Sequence, residues 1–283
     1  MLDIRDLKKD YGSFKLDCTM SLPAGRITGL VGRNGSGKTT TFKAALGLIR
    51  PDSGSISILG KAPSELTASD REQIGTVLSD AFFFGALNAL DIAAILSNMY
   101  HGFDKSFFMD KLSEFELPKK TNIGKYSTGM MARLKLLCAI AHGPKLLILD
   151  EPAAGLDVIA RDELLTMLRS FMEEDESRSI LISSHISSDL EGICDDIYMI
   201  HEGRIVFHED TDVLLSDYGV LKLSPEQYEA IDKSYILFKM DEPYGVSCLT
   251  SEKQFYMENY PDVTVERGSI DELIFMNVKG ERQ

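Results

Sequence analysis

No stretch of this 283-residue chain approaches the roughly 20 consecutive apolar residues that a membrane-crossing helix needs. Even the run Leu146 to Leu149 is cut off by Asp150 and Glu151, so any link to a membrane is expected to pass through a partner. Positive charge is also scarce: 30 lysines and arginines stand against 44 aspartates and glutamates, a formal net charge of -14. That balance favours solubility and argues against a general grip on nucleic acid or anionic lipid, leaving room only for a local basic site. Cysteines are few. Cys18, Cys138, Cys194 and Cys248 are widely spaced with no CxxC pair, which points to reduced, partly buried thiols rather than a structural metal. Internal repeats and low-complexity stretches are missing too. The first ten residues carry Asp3, Arg5, Asp6, Lys8 and Lys9 with no long apolar segment behind them, so no secretory signal is expected.

What is present is an ordinary globular balance, 44% hydrophobic and 26% charged, in a chain long enough for one large core or two domains. Alternating apolar positions at Leu2, Ile4 and Leu7, then at Phe14, Leu16, Cys18 and Met20, predict strands before the turn Pro23-Ala24-Gly25. Ile27 to Val31 reads as a short strand entering a glycine-rich loop, and Thr40 to Leu48 as a helix closed near Gly47. Further strands are predicted at Ser55 to Leu59 and Ile74 to Leu78. From Leu87 to about Ala141 the period becomes helical, with Ile92, Ile95, Leu96 and Met99 on one face and Leu134, Leu137, Cys138 and Ala141 on another. A helical insertion over about 84–141 is the simplest account. Strand Leu146 to Leu149, a helix from about Ile159 to Met172 and strand Ser179 to Ile182 resume the α/β pattern. Ile197 to Ile200 and Ile205 to Phe207 read as a hairpin around Gly203. Residues 1–212 are therefore expected to form one domain and residues 213–283 a small accessory subdomain. Its predicted elements are strands at Ser234 to Met240 and Val263 to Val265, and helices at Ser251 to Asn259 and Ser269 to Met276.

The segment Gly32-Arg33-Asn34-Gly35-Ser36-Gly37-Lys38-Thr39 satisfies GxxxxGK[ST] between a strand and a helix, the context this phosphate loop requires. Its glycines let backbone N–H groups close on phosphate oxygens, and the helix start presents its positive end to the anion. Lys38 is expected to reach the β and γ phosphates, and the Thr39 hydroxyl to bind Mg²⁺. Gly32, Asn34, Gly35, Ser36, Gly37, Lys38, Thr39 and Thr40 are the expected nucleotide contacts. A chance glycine loop is a poor competitor in that setting. Mg²⁺ also needs a carboxylate on a rigid element, which Asp150 supplies at the end of an apolar strand. Glu151 faces another way along the extended backbone, free to orient water while Asp150 serves the metal.

With these motifs in order, the chain resembles the ATP-binding subunit of an ABC transporter over nearly all of residues 1 to 210. The resemblance implies an α/β fold, a P-loop NTPase of ABC ATPase type with an N-terminal antiparallel β portion, a helical insertion and a small C-terminal α+β extension. It implies that Tyr11 stacks on adenine. The family signature LSGGQ appears as Tyr126-Ser127-Thr128-Gly129-Met130, ahead of a helix expected near Met131, so Ser127 and Gly129 would meet phosphate in trans. Ala154-Gly155-Leu156-Asp157 resembles the segment that communicates between two sites, with Asp157 as its acid. His185 matches the histidine that contacts the γ phosphate; Glu151 remains the better general base and Lys38 the phosphate cation. ATP and Mg²⁺ are the implied cofactors. The implied partners are a multi-span ABC permease and a second ATPase subunit, identical or related, and no nucleic acid. The implied place is the cytoplasm, peripheral on the inner face of the cell membrane through the permease.

Departures from the family pattern are concentrated at three positions. Ser79, followed by Asp80, stands where the family has a glutamine that helps bind Mg²⁺; either residue is expected to act on the metal only through water. Thr128 replaces a signature glycine and Met130 a glutamine. The segment Ala81 to Leu87 reads as a lining for a permease helix slightly ahead of plain subdomain core. Hydrolysis of ATP driving a separate permease of the exporter type is the leading expectation, with a weaker likeness to exporters of amphipathic peptides such as phenol-soluble modulins. The alternative is a soluble or regulatory ABC ATPase module without a permease. Ser79, Thr128 and Met130 would favour it if they suppress turnover.

Overall fold

The computed structural model describes every residue except Ala81 and Gln283, and every side chain except those two, Ile274 and Asn277. The chain opens with β1 (Leu2–Asp10), β2 (Lys15–Leu22) and β3 (Ile27–Val31), followed by α1 (Lys38–Ala45), β4 (Ser53–Ile58), α2 (Ala68–Arg71) and β5 (Ile74–Val77). Three helices come next: α3 (Ala89–Met99), α4 (Lys105–Glu114) and α5 (Thr128–Ile140). Then follow β6 (Leu146–Asp150), α6 (Val158–Glu173), β7 (Ser179–Ser184), α7 (Ser188–Glu191), β8 (Asp196–His201) and β9 (Arg204–Asp210). The remainder comprises α8 (Thr211–Ser216), β10 (Gly219–Leu223), α9 (Pro225–Ala230), β11 (Ile236–Glu242), β12 (Gly245–Thr250), α10 (Lys253–Asn259), β13 (Thr264–Arg267), α11 (Ile270–Lys279) and β14 (Glu281–Arg282).

One nine-stranded sheet has the order β4-β1-β2-β9-β8-β3-β7-β6-β5. In β2 Leu16, Cys18, Met20 and Leu22 are buried while the residues between them are not, the period-2 signature of a strand with one covered face. β3, β6 and β7 are buried along their whole length, as parallel strands covered on both faces must be. They lie side by side in the order β3-β7-β6, all parallel, so the loops that follow them emerge together at one edge of the sheet. Ligands of open α/β sheets bind outside these carboxyl ends.

The helical segment is present as expected, but its first face is turned relative to the sequence reading. Ala89, Ile92, Ala93 and Leu96 are buried, whereas Met99, in the last turn of α3, is 59% exposed. α5 begins at Thr128 rather than near Met131, because the Ser127 side chain caps the helix by accepting a hydrogen bond from the Met130 N–H at 3.2 Å. α1 likewise starts at Lys38, two residues before the expected Thr40, since the phosphate loop turns directly into its first turn.

Residues 219–282 build a second, antiparallel sheet in the order β13-β10-β12-β11-β14. β10 and β12 are absent from the sequence reading. Both are short, near-continuously buried strands, whose side chains carry no alternation to betray them. The second sheet has a small core around Leu221, Cys248 and Tyr256, yet Ile270, Leu273 and Met276 of α11 join the main core. The Ile270 N–H donates to Glu191 Oε1 at 3.1 Å, joining α11 to α7. α8 runs across the expected boundary between residues 212 and 213.

Candidate active site

The phosphate loop is shaped by two close approaches. A Cβ at Gly32 would lie 2.4 Å from the Ile200 carbonyl oxygen and 2.6 Å from Ser36 Oγ, so no side chain fits there. Gly37, which caps α1, has φ +117°, and a Cβ on it would meet Phe14, Leu16 and Ile200 at 3.0–3.1 Å. Arg33, Asn34 and Gly35 form the exposed tip, while Ser36 and Lys38 are buried. Ser36 Oγ has no hydrogen-bond partner among the described residues. A buried hydroxyl without a partner is destabilising by about 1–3 kcal/mol, so its position in this loop fits a polar ligand that completes it.

Lys38, 5% exposed, folds back on its own loop. Its Nζ donates to the Gly32 carbonyl at 2.6 Å and the Arg33 carbonyl at 3.4 Å, and lies 3.0 Å from Glu151 Oε1. Beside it, Asp150 accepts three hydroxyl hydrogen bonds. Thr39 Oγ1 and Ser79 Oγ donate to Oδ2 at 2.7 and 2.8 Å, and Ser183 Oγ donates to Oδ1 at 2.8 Å. The parallel register that pairs Asp150 with Ser183 puts the last of these in place. The cluster is made of oxygen donors, the set that a hard cation such as Mg²⁺ selects. Of the two residues expected to reach metal through water, Ser79 joins this cluster. Asp80 does not: its carboxylate pairs with Lys43 at 2.6 Å, which holds it below the usual carboxylate range.

Glu151 is not on extended backbone as expected: β6 ends at Asp150 and Glu151 sits at φ +52°, in the left-handed region that a non-glycine residue occupies at a penalty of roughly 1–3 kcal/mol. Its N–H donates to Ser183 Oγ at 3.0 Å, and its Oε2 accepts from the His185 N–H at 3.2 Å and lies 2.5 Å from His185 Nδ1. Ser183 thus holds both the Asp150 carboxylate and the backbone of the neighbouring glutamate. Glu151, His185, Ser79 and the loop residues Asn34 to Thr40 line one cavity of about 600 Å³.

Other expected site residues stand apart from that cavity. Tyr11 is 51% exposed with the Lys9 ammonium 5.7 Å from its ring centroid, whereas Phe14 is the aromatic residue on the cavity wall. Ser127 is exposed and lines a separate cavity of about 390 Å³, which it shares with Ser79, Asp150 and Glu151. Gly129 packs toward Ala160, and Asp157 caps α6 by accepting from the Ala160 N–H at 2.9 Å. Phe14, expected only as a strand position, and Ser183 are not among the site residues that the sequence predicts. A hydroxyl pair, Ser183-Ser184, ending an apolar strand just before His185 was the signal available for the second.

The fold and this loop define a nucleotide-binding ATPase, and the comparisons with known proteins specify which kind. The chain belongs to the ABC transporter family, whose model matches residues 16–154. It is 36% identical over 216 residues to the lantibiotic transport ATP-binding protein SrtF of Streptococcus pyogenes, covering 75% of this chain and 92% of that one. It is 37% identical over 206 residues to the bacitracin transport ATP-binding protein BcrA of Bacillus licheniformis, covering 71% and 67%. Among solved structures, an ATP-binding subunit of an ABC transporter superposes with TM-score 0.67 at 27% identity, over 76% of this chain and 91% of that one. A dimeric ATP-binding cassette bound to ADP and Pi superposes with TM-score 0.66 at 19% identity, over 75% and 99%, a likeness of fold. The chain is thus an ABC ATPase module similar to the ATPases of lantibiotic and bacitracin transport. The unpartnered Ser36 hydroxyl, the glycine loop and the oxygen cluster around Asp150 fit ATP and Mg²⁺.

Proposed function

We propose that the chain hydrolyses ATP as one half of a dimer that drives a separate membrane permease exporting a peptide. The observation that carries the catalytic part is Glu151, held between Lys38 and His185 on the wall of the phosphate-loop cavity. Glu151 orients a water and takes its proton; Lys38 turns from Glu151 to the transferred phosphoryl group; His185 donates a hydrogen bond toward it. Thr39 and Asp150 would hold Mg²⁺, with Ser79 acting through water, and the ion would supply positive charge against the phosphate oxygens. Gly32 to Thr40 bind the phosphates, and Tyr11 the base.

Support for a second copy comes from Val158 and Ile159, 79% and 72% exposed beside Asp157, and from Ser127 and Gly129, neither of which lines the cavity of their own phosphate loop. Apolar side chains placed so openly next to a polar loop mark a contact face. Support for a permease comes from Phe84, 78% exposed, while Phe82 and Phe83 pack edge to face on the core; Ala81 lies outside the described residues. Among the described residues no helix is long and apolar enough to cross a membrane, so attachment to the inner face would be through that permease. Residues 1–212 would do this work, with 213–283 as the accessory subdomain. The relatives named for lantibiotic and bacitracin transport supply the peptide cargo of the proposal.

Mg²⁺-dependent phosphate release from ATP by the purified chain, together with co-purification of a multi-span membrane protein that is lost in Phe84→Ala, is the expected result. Stable nucleotide-induced dimers with no turnover would instead favour a regulatory module, the reading to which Ser79, Thr128 and Met130 point.

A further inference from the structure

The loops leaving β6 and β7 carry Glu151 and His185, and one arginine joins them from behind. Arg161, in the first turn of α6, places Nη1 3.1 Å from Asp189 Oδ1 and Nη2 3.4 Å from the Leu156 carbonyl oxygen. Leu156 belongs to the segment that follows Glu151. Asp189, in α7, follows His185 by four residues and is 3% exposed. Ser184 Oγ donates to Asp189 Oδ2 at 3.4 Å and accepts the Ile186 N–H at 2.9 Å. His185 therefore sits at the tip of a turn whose two flanking residues are fastened to each other and to Asp189. Burial pushes the Asp189 carboxyl up from its ordinary value, and Arg161 draws it back. An arginine with one acceptor on the loop after β6 and another on α7 is a fixed fork and not a mobile surface charge.

We propose that Arg161 and Asp189 are positioning residues for ATP hydrolysis: the pair staples the Glu151 loop to the His185 loop and sets the distance between the two groups. This rests on the proposed hydrolysis at Glu151. Among the described residues neither lines the phosphate-loop cavity, so the pair governs the chemical step and leaves nucleotide affinity to Gly32 to Thr40 and Tyr11. Misplacing reacting groups by about 1 Å lowers rates by up to about 100-fold, which sets the scale of the expected effect.

An ion pair with one buried and one half-buried partner has an ordinary structural role as well, and the double variant Arg161→Met with Asp189→Leu separates the two. Removing one partner strands the other charge, whereas replacing both by apolar residues of similar volume is often neutral for stability. Melting temperature, affinity for a fluorescent trinitrophenyl-ATP and phosphate release are measured on the full chain. Single variants are expected to melt early. In the double variant, melting temperature should return to that of the wild type and affinity stay within about twofold, while kcat stays down by about tenfold or more. Recovery of kcat together with melting temperature overturns the inference and leaves the hydrolysis reading intact. A wild-type chain without turnover overturns both.

Discussion

Glu151 Oε1 and Lys38 Nζ are 3.0 Å apart, so the residue read as the base and the residue read as the phosphate cation neutralise each other across the cavity. Both are largely withdrawn from solvent, with side-chain exposures of 14% and 6%. Nucleotide binding in this account exchanges that partner for phosphate. His185, 2.5 Å from the other carboxylate oxygen, keeps Glu151 in place while Lys38 turns away.

Lys38→Ala removes that cation from both states. Charge-assisted hydrogen bonds contribute about 1.5–3 kcal/mol, so affinity for ATP should fall by about 10- to 100-fold. Fluorescence titration with a trinitrophenyl-ATP measures it. An unchanged affinity would place the phosphates elsewhere.

Asp157 has a structural duty that is separable from any role across a dimer. It caps α6 through the Ala160 N–H at 2.9 Å. Asp157→Ala should lower stability by about 1 kcal/mol in urea unfolding, and Asp157→Ser, which retains a capping oxygen, should recover most of it.

All four cysteines are buried, and burial pushes the Cys18 thiol up to about 11 and the Cys248 thiol up to about 12, with Cys194 raised as well. The thiolate is the reactive form. Iodoacetamide at neutral pH should label none of them in the folded chain and all four after unfolding, as counted by mass spectrometry. Rapid labelling of the native chain would contradict the packing of β2 and β12.

His142 is 6% exposed and stacked on Tyr100 with ring centroids 4.1 Å apart. Burial holds its imidazole below the ordinary value, so on acidification the unfolded chain takes up the proton first. Its contribution to stability is therefore full above the unfolded value of about 6.5 and is lost as pH falls through it, by at most about 1.4 kcal/mol per pH unit. His142→Phe keeps the stacking and should flatten the dependence between pH 7 and 5. Equal slopes in wild type and variant would show that this histidine is not the source.

Much of the site was legible because its signals are local. Gly32 to Thr39 is a contiguous motif between an apolar strand and a helix, and Asp150 with Glu151 closes another apolar run. What escaped depends on pairing across the chain. Ser183 binds Asp150 and the Glu151 N–H only because β6 and β7 are parallel in the register that sets Asp150 beside Ser183. Phe14 reaches the phosphate loop because β2 packs beneath it, whereas the exposed tyrosine three residues earlier had the more conspicuous context. Arg161 and Asp189 lie on separate helices, and neither has a neighbour in sequence that betrays the other. In the last 70 or so residues β10 and β12 are buried on both faces, which removes the alternation by which a strand is recognised.

The most direct test of the account is phosphate release in a single turnover by Glu151→Gln, which keeps the shape of the side chain and removes its capacity to take a proton. Nucleotide affinity should be retained and hydrolysis should fall by about 100-fold or more, within the range that a positioned general base contributes. Hydrolysis at the wild-type rate would contradict the role of Glu151 and, with it, the reading of Lys38 and His185 as its partners.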